Sequence, residues 1–236
     1  MRNAVVMAAG EGTRLRPLTE TWAKPVLPID GRPVIATLLR ELAAAGIERA
    51  VVVTGHLAEQ VEELVGDGSA FGLQVEFVRQ PEVLGSADTV RRALAAGLEP
   101  PFVVCAADTV FQPGDLARFV RAVEGFAGAI AYRLDPPPEW PHRPPVKVVD
   151  GRVEAIIDDD RANPRSGAPL WAFGPELVPC LEGLGGPPYE LYQAFDRGIG
   201  EGLAIAGVEV GKTRDLTRPV DVVRENFPYA EVFGGS

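Results

Sequence analysis

The stretch AVVMAAGEGTRLRPLTETWAKP, Ala4 to Pro25, sets the reading of the whole chain. Its first six residues are apolar without alternation, the pattern of a strand covered on both faces. A Gly-x-Gly turn follows at once, Gly10-Glu11-Gly12, and behind it stand Arg14, Arg16 and Lys24. Glycines after a strand let backbone N–H groups approach an anion closely. An arginine fork matches polyphosphate oxygens, and a lysine adds a mobile point charge. Two related motifs do not fit: no Gly-Lys-Ser/Thr closes the turn as in a P-loop, and the third glycine of a dinucleotide fingerprint is missing. Taken alone, a Gly-x-Gly is more often a surface turn with solvated charges, so the rest of the chain must decide.

Outward from this stretch, apolar runs alternate with amphipathic ones. Strands are expected at Ala4–Ala9, Ala50–Thr54, Leu73–Val78 and Phe102–Ala107. Helices are expected over Pro33–Ala45, Leu57–Val65, Ser86–Ala96 (with Ser86 as N-cap) and Gly114–Glu124. The β–α alternation predicts an α/β fold with a doubly wound, mostly parallel sheet. The second half reads differently. Ala129–Leu134 leads into a proline-rich polar loop, Asp135–Pro145, then into a hairpin over Val146–Ile157 turning at Asp150-Gly151. A strand at Leu170–Phe173, helices near Leu177 and over Tyr189–Ile199, a last strand at Leu203–Val210 and a helix from Pro219 complete the pattern. With no repeat and no linker, residues 1–236 read as a single domain with a small β extension near the site.

The chain has 236 residues and a formal net charge of −10, which argues against a nucleic-acid partner, since that needs a basic face. A local basic pocket for a phosphorylated small molecule remains compatible. Two cysteines in unrelated settings, Cys105 and Cys180, point to a reducing compartment rather than a disulfide framework. The first apolar run is too short for a secretory signal, and nothing reaches the length of a membrane span. A cytoplasmic protein with no membrane partner is expected, and a homo-oligomer remains open.

Met7-Ala8-Ala9-Gly10-Glu11-Gly12-Thr13-Arg14-Leu15-Arg16-Pro17-Leu18-Thr19, followed by Ala23-Lys24-Pro25, Pro28 and Pro33, resembles the N-terminal signature of the sugar-1-phosphate nucleotidyltransferases. The departures, Met7 and Ala23, are mild. Three later segments agree: Arg79–Val90 (RQPEVLGSADTV), Val103–Phe111 (VVCAADTVF) and Thr213–Phe227 (TRDLTRPVDVVRENF). The resemblance implies a Rossmann-like nucleotidyltransferase fold and the reaction NTP plus sugar 1-phosphate giving NDP-sugar plus pyrophosphate. It implies that Ala8, Ala9, Gly10, Gly12 and Thr13 hold the nucleotide, Arg14 its β/γ-phosphates, and Lys24 the reacting phosphates. Gln80 would read the base, beside Gly85 and Ser86; a glutamine amide pairs a donor with an acceptor, which suits uracil or thymine. Asp108, at the carboxyl end of a buried strand, and Asp215 would hold Mg²⁺. Neither His56 nor His142 has a triad partner in sight, and both read as structural. The resemblance ends with the catalytic domain, as no hexapeptide repeats follow.

The acceptor side departs from the family. Its Glu-Lys-Pro segment is replaced by Asp158-Asp159-Asp160, so a phosphate-binding lysine is lost. Lys147, Arg143, Arg161 and Arg165 are candidate substitutes, and Lys147, Asp158 and Trp171 are taken as acceptor-binding residues. Two alternatives therefore stay open: a non-sugar acceptor of the phosphocholine type, with Trp140 and Trp171 as the nearby tryptophans, and a non-catalytic regulatory subunit. Retention of Arg14, Lys24, Asp108 and Asp215 counts against the second.

Overall fold

A computed structural model describes residues 1–139 and 143–227; Trp140 and His142 lie outside the described residues. In chain order the elements are β1 (Asn3–Ala8), β2 (Pro28–Ile29), β3 (Arg32–Pro33), α1 (Val34–Ala44), β4 (Arg49–Thr54), α2 (Ala58–Val65), β5 (Gln74–Arg79), α3 (Ser86–Ala95), β6 (Phe102–Ala106), β7 (Thr109–Val110), α4 (Asp115–Ala122), β8 (Gly128–Arg133), β9 (Lys147–Val149), β10 (Arg152–Ala155), β11 (Ser166–Phe173), α5 (Leu191–Gly200), β12 (Ile205–Glu209), β13 (Arg214–Asp215) and α6 (Pro219–Asn226). Among the described residues, nine strands form one sheet in the order β5-β4-β1-β6-β11-β8-β12-β10-β9. From β5 to β6 all pairs are parallel. β11 then runs against both β6 and β8, while β8 and β12 are parallel. The sheet is thus mixed but mostly parallel, as expected of the fold class.

Its strands are apolar because helices cover both faces. Ala4, Val6 and Ala8 of β1 enter the core under α1, α2 and α4, while Val5 points to the opposite core under α3 and α5. This is the two-residue alternation of a pleated strand with no solvent face. The seam between the parallel and mixed parts is aromatic: Phe102 on β6 stacks on Phe173 of β11 at 5.5 Å, and Phe173 meets Phe195 of α5 edge-on at 4.9 Å. Such pairs add roughly 0.5–1.5 kcal/mol each beyond their burial.

Several elements differ from the sequence reading. The hairpin turns at Asp150-Gly151, both with positive φ (48° and 75°), as a two-residue turn requires. As the expected β extension, it joins the main sheet, lengthening its edge through β10 beside β12. β11 begins four residues before Leu170, carrying Pro169 within a register shift between Gly167 and Trp171; the irregularity accommodates a residue that has no N–H to give. The α3 cap position belongs to Gly85, and Ser86 is the first helical residue. The turn near Leu177 is a short 3-10 helix, Val178–Leu181. The ribbon of β7 and β13, two residues each, falls below what periodicity detects.

Candidate active site

The site lies along the carboxyl edge of the parallel strands, where open α/β sheets bind ligands. β1 delivers the glycine turn. Gly12 has φ +62°, and a Cβ there would sit 2.9 Å from Thr19 Cγ2. Its carbonyl accepts from Leu15 N at 2.8 Å and Thr19 Oγ1 at 2.9 Å, so conformation and packing both demand glycine. Gly10 differs: a Cβ there would meet nothing within 4 Å. The space above it opens into a cavity of about 420 Å³ that Ala8, Ala9, Gly10, Gly12, Thr13, Arg14, Lys24, Gln80, Gly85, Ser86 and Asp108 all line. The expected nucleotide residues and both expected phosphate cations are therefore brought together. The basic side chains near the turn are not equivalent. Arg16 ion-pairs with Glu11 at 3.1 Å and Lys24 with Asp108, while Arg14 is exposed at the rim of the cavity. His56 lies outside the cavity lining, its Nε2 2.7 Å from the Thr19 carbonyl.

At the far end of the cavity Gln80 is 2% exposed. Its Nε2 donates to the Asp88 carboxylate at 2.9 Å and to the Gly85 carbonyl at 3.4 Å, and its Oε1 accepts from Thr89 Oγ1 at 2.8 Å. Asp88 is itself ion-paired with Arg92 at 2.6 Å. The amide is thus held in one orientation, with both N–H groups engaged and one lone pair of Oε1 left over. Asp88, three residues past the recognised turn, is the orienting group that sequence reasoning missed. Gly85 has φ +107°, and a Cβ there would strike the backbone of Tyr189, with its N at 2.7 Å. That glycine fits the chain against the start of α5. Ser86 does the same: its hydroxyl binds Glu190 and accepts from Leu191 N at 2.9 Å.

Asp108 and Asp215 come from distant parts of the chain. The β7–β13 ribbon pairs Asp215 with Thr109, the residue after Asp108. Arg214, beside Asp215, holds the ribbon down with bonds to both Asp30 oxygens (2.5 and 2.9 Å) and to Glu225 (2.5 Å). These contacts raise the Arg214 pKa above its ordinary value and lower that of Asp30. Both aspartates line a second, larger cavity of about 800 Å³, which shares Arg14, Lys24 and Asp108 with the first. Among the described residues no cluster of three or more His, Cys, Asp or Glu side chains is arranged for a metal. Two hard carboxylates still fit Mg²⁺, which keeps most of its shell as water and phosphate oxygens.

The residues expected to bind the acceptor separate around this larger cavity. Trp171 lines it. Lys147 does not: on the edge hairpin, its Nζ meets Glu154 at 2.8 Å, half exposed. Asp158 does not either; it accepts from Asn163 at 2.8 Å and from Asp160 N at 3.2 Å, closing its own loop. Of the candidate replacement cations, Arg143 lines the cavity paired with Glu139 at 2.6 Å, Arg165 lies over the Tyr132 ring at 5.7 Å, and Arg161 is outside the lining. Arg133, Glu190 and Thr217 do line it and were not foreseen. Their signal was positional: Arg133 ends an otherwise apolar strand.

A mixed sheet with a glycine turn, two basic phosphate candidates and paired carboxylates on one edge defines a nucleotidyltransferase-type site. The chain belongs to the nucleotidyl transferase family, whose model matches residues 3–136. It is similar to the low-salt glycan biosynthesis nucleotidyltransferase Agl11 of Haloferax volcanii, 27% identical over 94% of this chain and 64% of that protein. It is also similar to the N-acetylmuramate alpha-1-phosphate uridylyltransferase of Neisseria meningitidis, 30% identical over 76% of this chain and 78% of that protein. Against the mannose-1-phosphate guanylyltransferase of Mycobacterium tuberculosis it is 48% identical over 36% of this chain and 23% of that protein. The chain thus spans less than two thirds of the length of several curated relatives that it matches. Among solved structures, the inositol-1-phosphate CTP transferase from T. maritima superposes with a TM-score of 0.80 over 99% of this chain and 95% of that one, at 18% identity, a likeness of fold. Among the described residues no helix is long and apolar enough to cross a membrane.

Proposed function

We propose that the chain transfers a nucleotidyl group from an NTP to a sugar 1-phosphate, releasing pyrophosphate. The observation that carries this reading is the continuity of the two cavities across Arg14, Lys24 and Asp108. One side is lined by the glycine turn and Gln80, the other leaves room for a phosphorylated acceptor, and Arg14, Lys24 and Asp108 are common to both. The names of the Agl11 and N-acetylmuramate 1-phosphate relatives support the same class.

An oxygen of the acceptor phosphate attacks the α-phosphorus, a P–O bond forms, and the bond to the β-phosphate breaks with its electrons leaving on pyrophosphate. A phosphate monoester is largely dianionic at neutral pH, its second pKa being about 6, so no side chain need remove a proton. The obstacle is the repulsion of two anions. Lys24 neutralises charge where they meet and Arg14 meets the departing pyrophosphate; the contribution is positioning and fixed charge. Asp108 and Asp215 would hold Mg²⁺, which supplies further neutralisation of phosphate charge when bound.

For the base, UTP or dTTP is favoured over CTP. The free lone pair of Gln80 Oε1 suits the N3–H of uracil or thymine, and Asp88 opposes the flip that the N3 acceptor of cytosine would require. The test is a screen of pyrophosphate release with each NTP against a panel of sugar 1-phosphates and phosphocholine. Release with a sugar 1-phosphate and UTP or dTTP is expected. Release with phosphocholine alone would move the acceptor class, and no release from a folded protein would favour a binding subunit.

A further inference from the structure

All six residues of β8 are buried, including the last, Arg133, which is 4% exposed. β8 runs in the same direction as β6, because both are antiparallel to the β11 between them. Arg133 therefore emerges at the edge of the sheet that carries Asp108, and it lines the larger cavity. Its guanidinium has one hydrogen bond, from Nη1 to Thr213 Oγ1. Nε is sealed from solvent with no partner, and no carboxylate among the described residues lies within ion-pair distance of the group. Burial pulls its pKa below the ordinary arginine value; Asp215 and Asp135 act from a distance in the other direction, and Arg143 adds repulsion.

The other cations that line this cavity stand differently. Arg143 has Glu139 and Lys24 has Asp108, while Arg14 is exposed at the rim shared with the first cavity and Arg218 and Arg224 belong to the α6 end of the chain. Taking a guanidinium out of water without a counter-charge is costly, and burial alone gives the fold no reason to retain it. Its planar array of donors suits an oxyanion, the group that would complete it. Its place matters too. With strands about 4.8 Å apart, β8 stands about 10 Å from β6, away from the glycine turn and over the acceptor side.

We propose that Arg133 is an anion-binding residue of the acceptor pocket, taking an oxyanion, phosphate or carboxylate, of the acceptor molecule. It rests on the acceptor half of the reading above but is measured without turnover. The probes are inorganic phosphate, α-glucose 1-phosphate and α-glucuronic acid 1-phosphate, titrated by calorimetry into wild type, R133M and R133K. R133M loses at least tenfold in affinity for the tightest probe and R133K less, while UTP affinity stays within twofold. The ligand-free melting temperature of R133M equals or exceeds that of wild type, since an unpaired buried charge has gone. Parallel loss for all three probes assigns the phosphate to Arg133; loss confined to the glucuronate assigns the carboxylate. Either supports the proposal. Unchanged affinities, a parallel fall in UTP affinity, or a wild type that binds none of the probes would overturn it. If R133M does not fold, R133K decides: a loss of threefold or more supports the assignment, and none removes it. A protein that bound these probes through Arg133 yet turned over no NTP would fail the transferase reading while leaving this one standing.

Discussion

The two halves of the cavity are built on different terms. On the proposed nucleotide side the expected residues hang from three parallel strands, β1, β5 and β6, and their following turns, and all of them line the smaller cavity. On the proposed acceptor side, β11 runs against both of its neighbours, β6 and β8, and of three expected residues only Trp171 reaches the cavity. A strand followed by a glycine turn places its own functional groups. An acceptor pocket assembled from β8, β11, the start of α5 and the β13 ribbon has its groups placed by how distant elements meet. The family model stops at residue 136, close to this boundary.

The largest expected effects lie where the halves touch. Lys24→Ala should lower kcat roughly 10²–10³-fold, the size of losing a fixed electrostatic partner of the reacting phosphates. Asp108→Asn and Asp215→Asn should do as much, while nucleotide binding measured in EDTA stays within about twofold of wild type. Turnover near wild type in either asparagine variant would remove that carboxylate from the metal assignment. Loss of Lys24 activity accompanied by unfolding would make its pairing with Asp108 structural.

Next in size is Gly85→Ala, which tests whether the halves are one unit. The new methyl group meets the Tyr189 backbone at a φ that only glycine adopts easily. A cost of about 2–3 kcal/mol is expected from the named causes, overpacking and strain. Urea melts should show one cooperative transition moved to lower denaturant. Two transitions would mean that α3 and α5, joined here by Ser86 and Glu190, unfold separately.

What was legible follows the same divide. Gly12, Arg14 and Lys24 could be placed from a motif because their spacing is short and their geometry local. Asp215 was recognisable as a residue, but the ribbon that brings it beside Asp108 is two residues long and has no periodicity to read. Ser86 carried the signature of a helix cap, yet its hydroxyl serves α5, 104 residues away. Lys147 and Asp158 were chosen for charge alone, and charge does not say which way a hairpin edge or a loop faces. Arg133 was passed over because one arginine at the end of an apolar strand looks like an exit to solvent; only the packing of β11 and β12 on either side reveals that it is buried.

Gln80→Ala tests the base within the first half. The wild type should prefer UTP over CTP by at least about tenfold in kcat/KM, equivalent to about 1.4 kcal/mol. The variant should lose most of that ratio, read as initial rates at subsaturating nucleotide. Asp88→Asn should lower it too, because an asparagine in that place no longer demands a donor from the glutamine. An unchanged ratio in both would place base selection elsewhere.

The smallest effect belongs to Lys147→Ala, and its smallness is the point. Lys147 was one of four candidate replacements for a lost phosphate-binding lysine, but its Nζ is 2.8 Å from Glu154 on the adjacent strand of an exposed hairpin. That carboxylate raises the Lys147 pKa, and the linked stabilisation is present below the unfolded pKa and fades only as pH rises through the raised folded one. At neutral pH the pair is intact, yet exposed pairs are screened and give up side-chain entropy to form, so little is lost with it. Lys147→Ala should leave kcat and the acceptor KM within about twofold, with a melting temperature within about 2 °C of wild type. Arg133→Met is its counterpart, near-silent in stability but costly in acceptor binding. If the two exchanged roles, with Lys147→Ala raising the acceptor KM tenfold, the hairpin would have to fold over the cavity during turnover, and the acceptor side would be a moving wall rather than a fixed pocket.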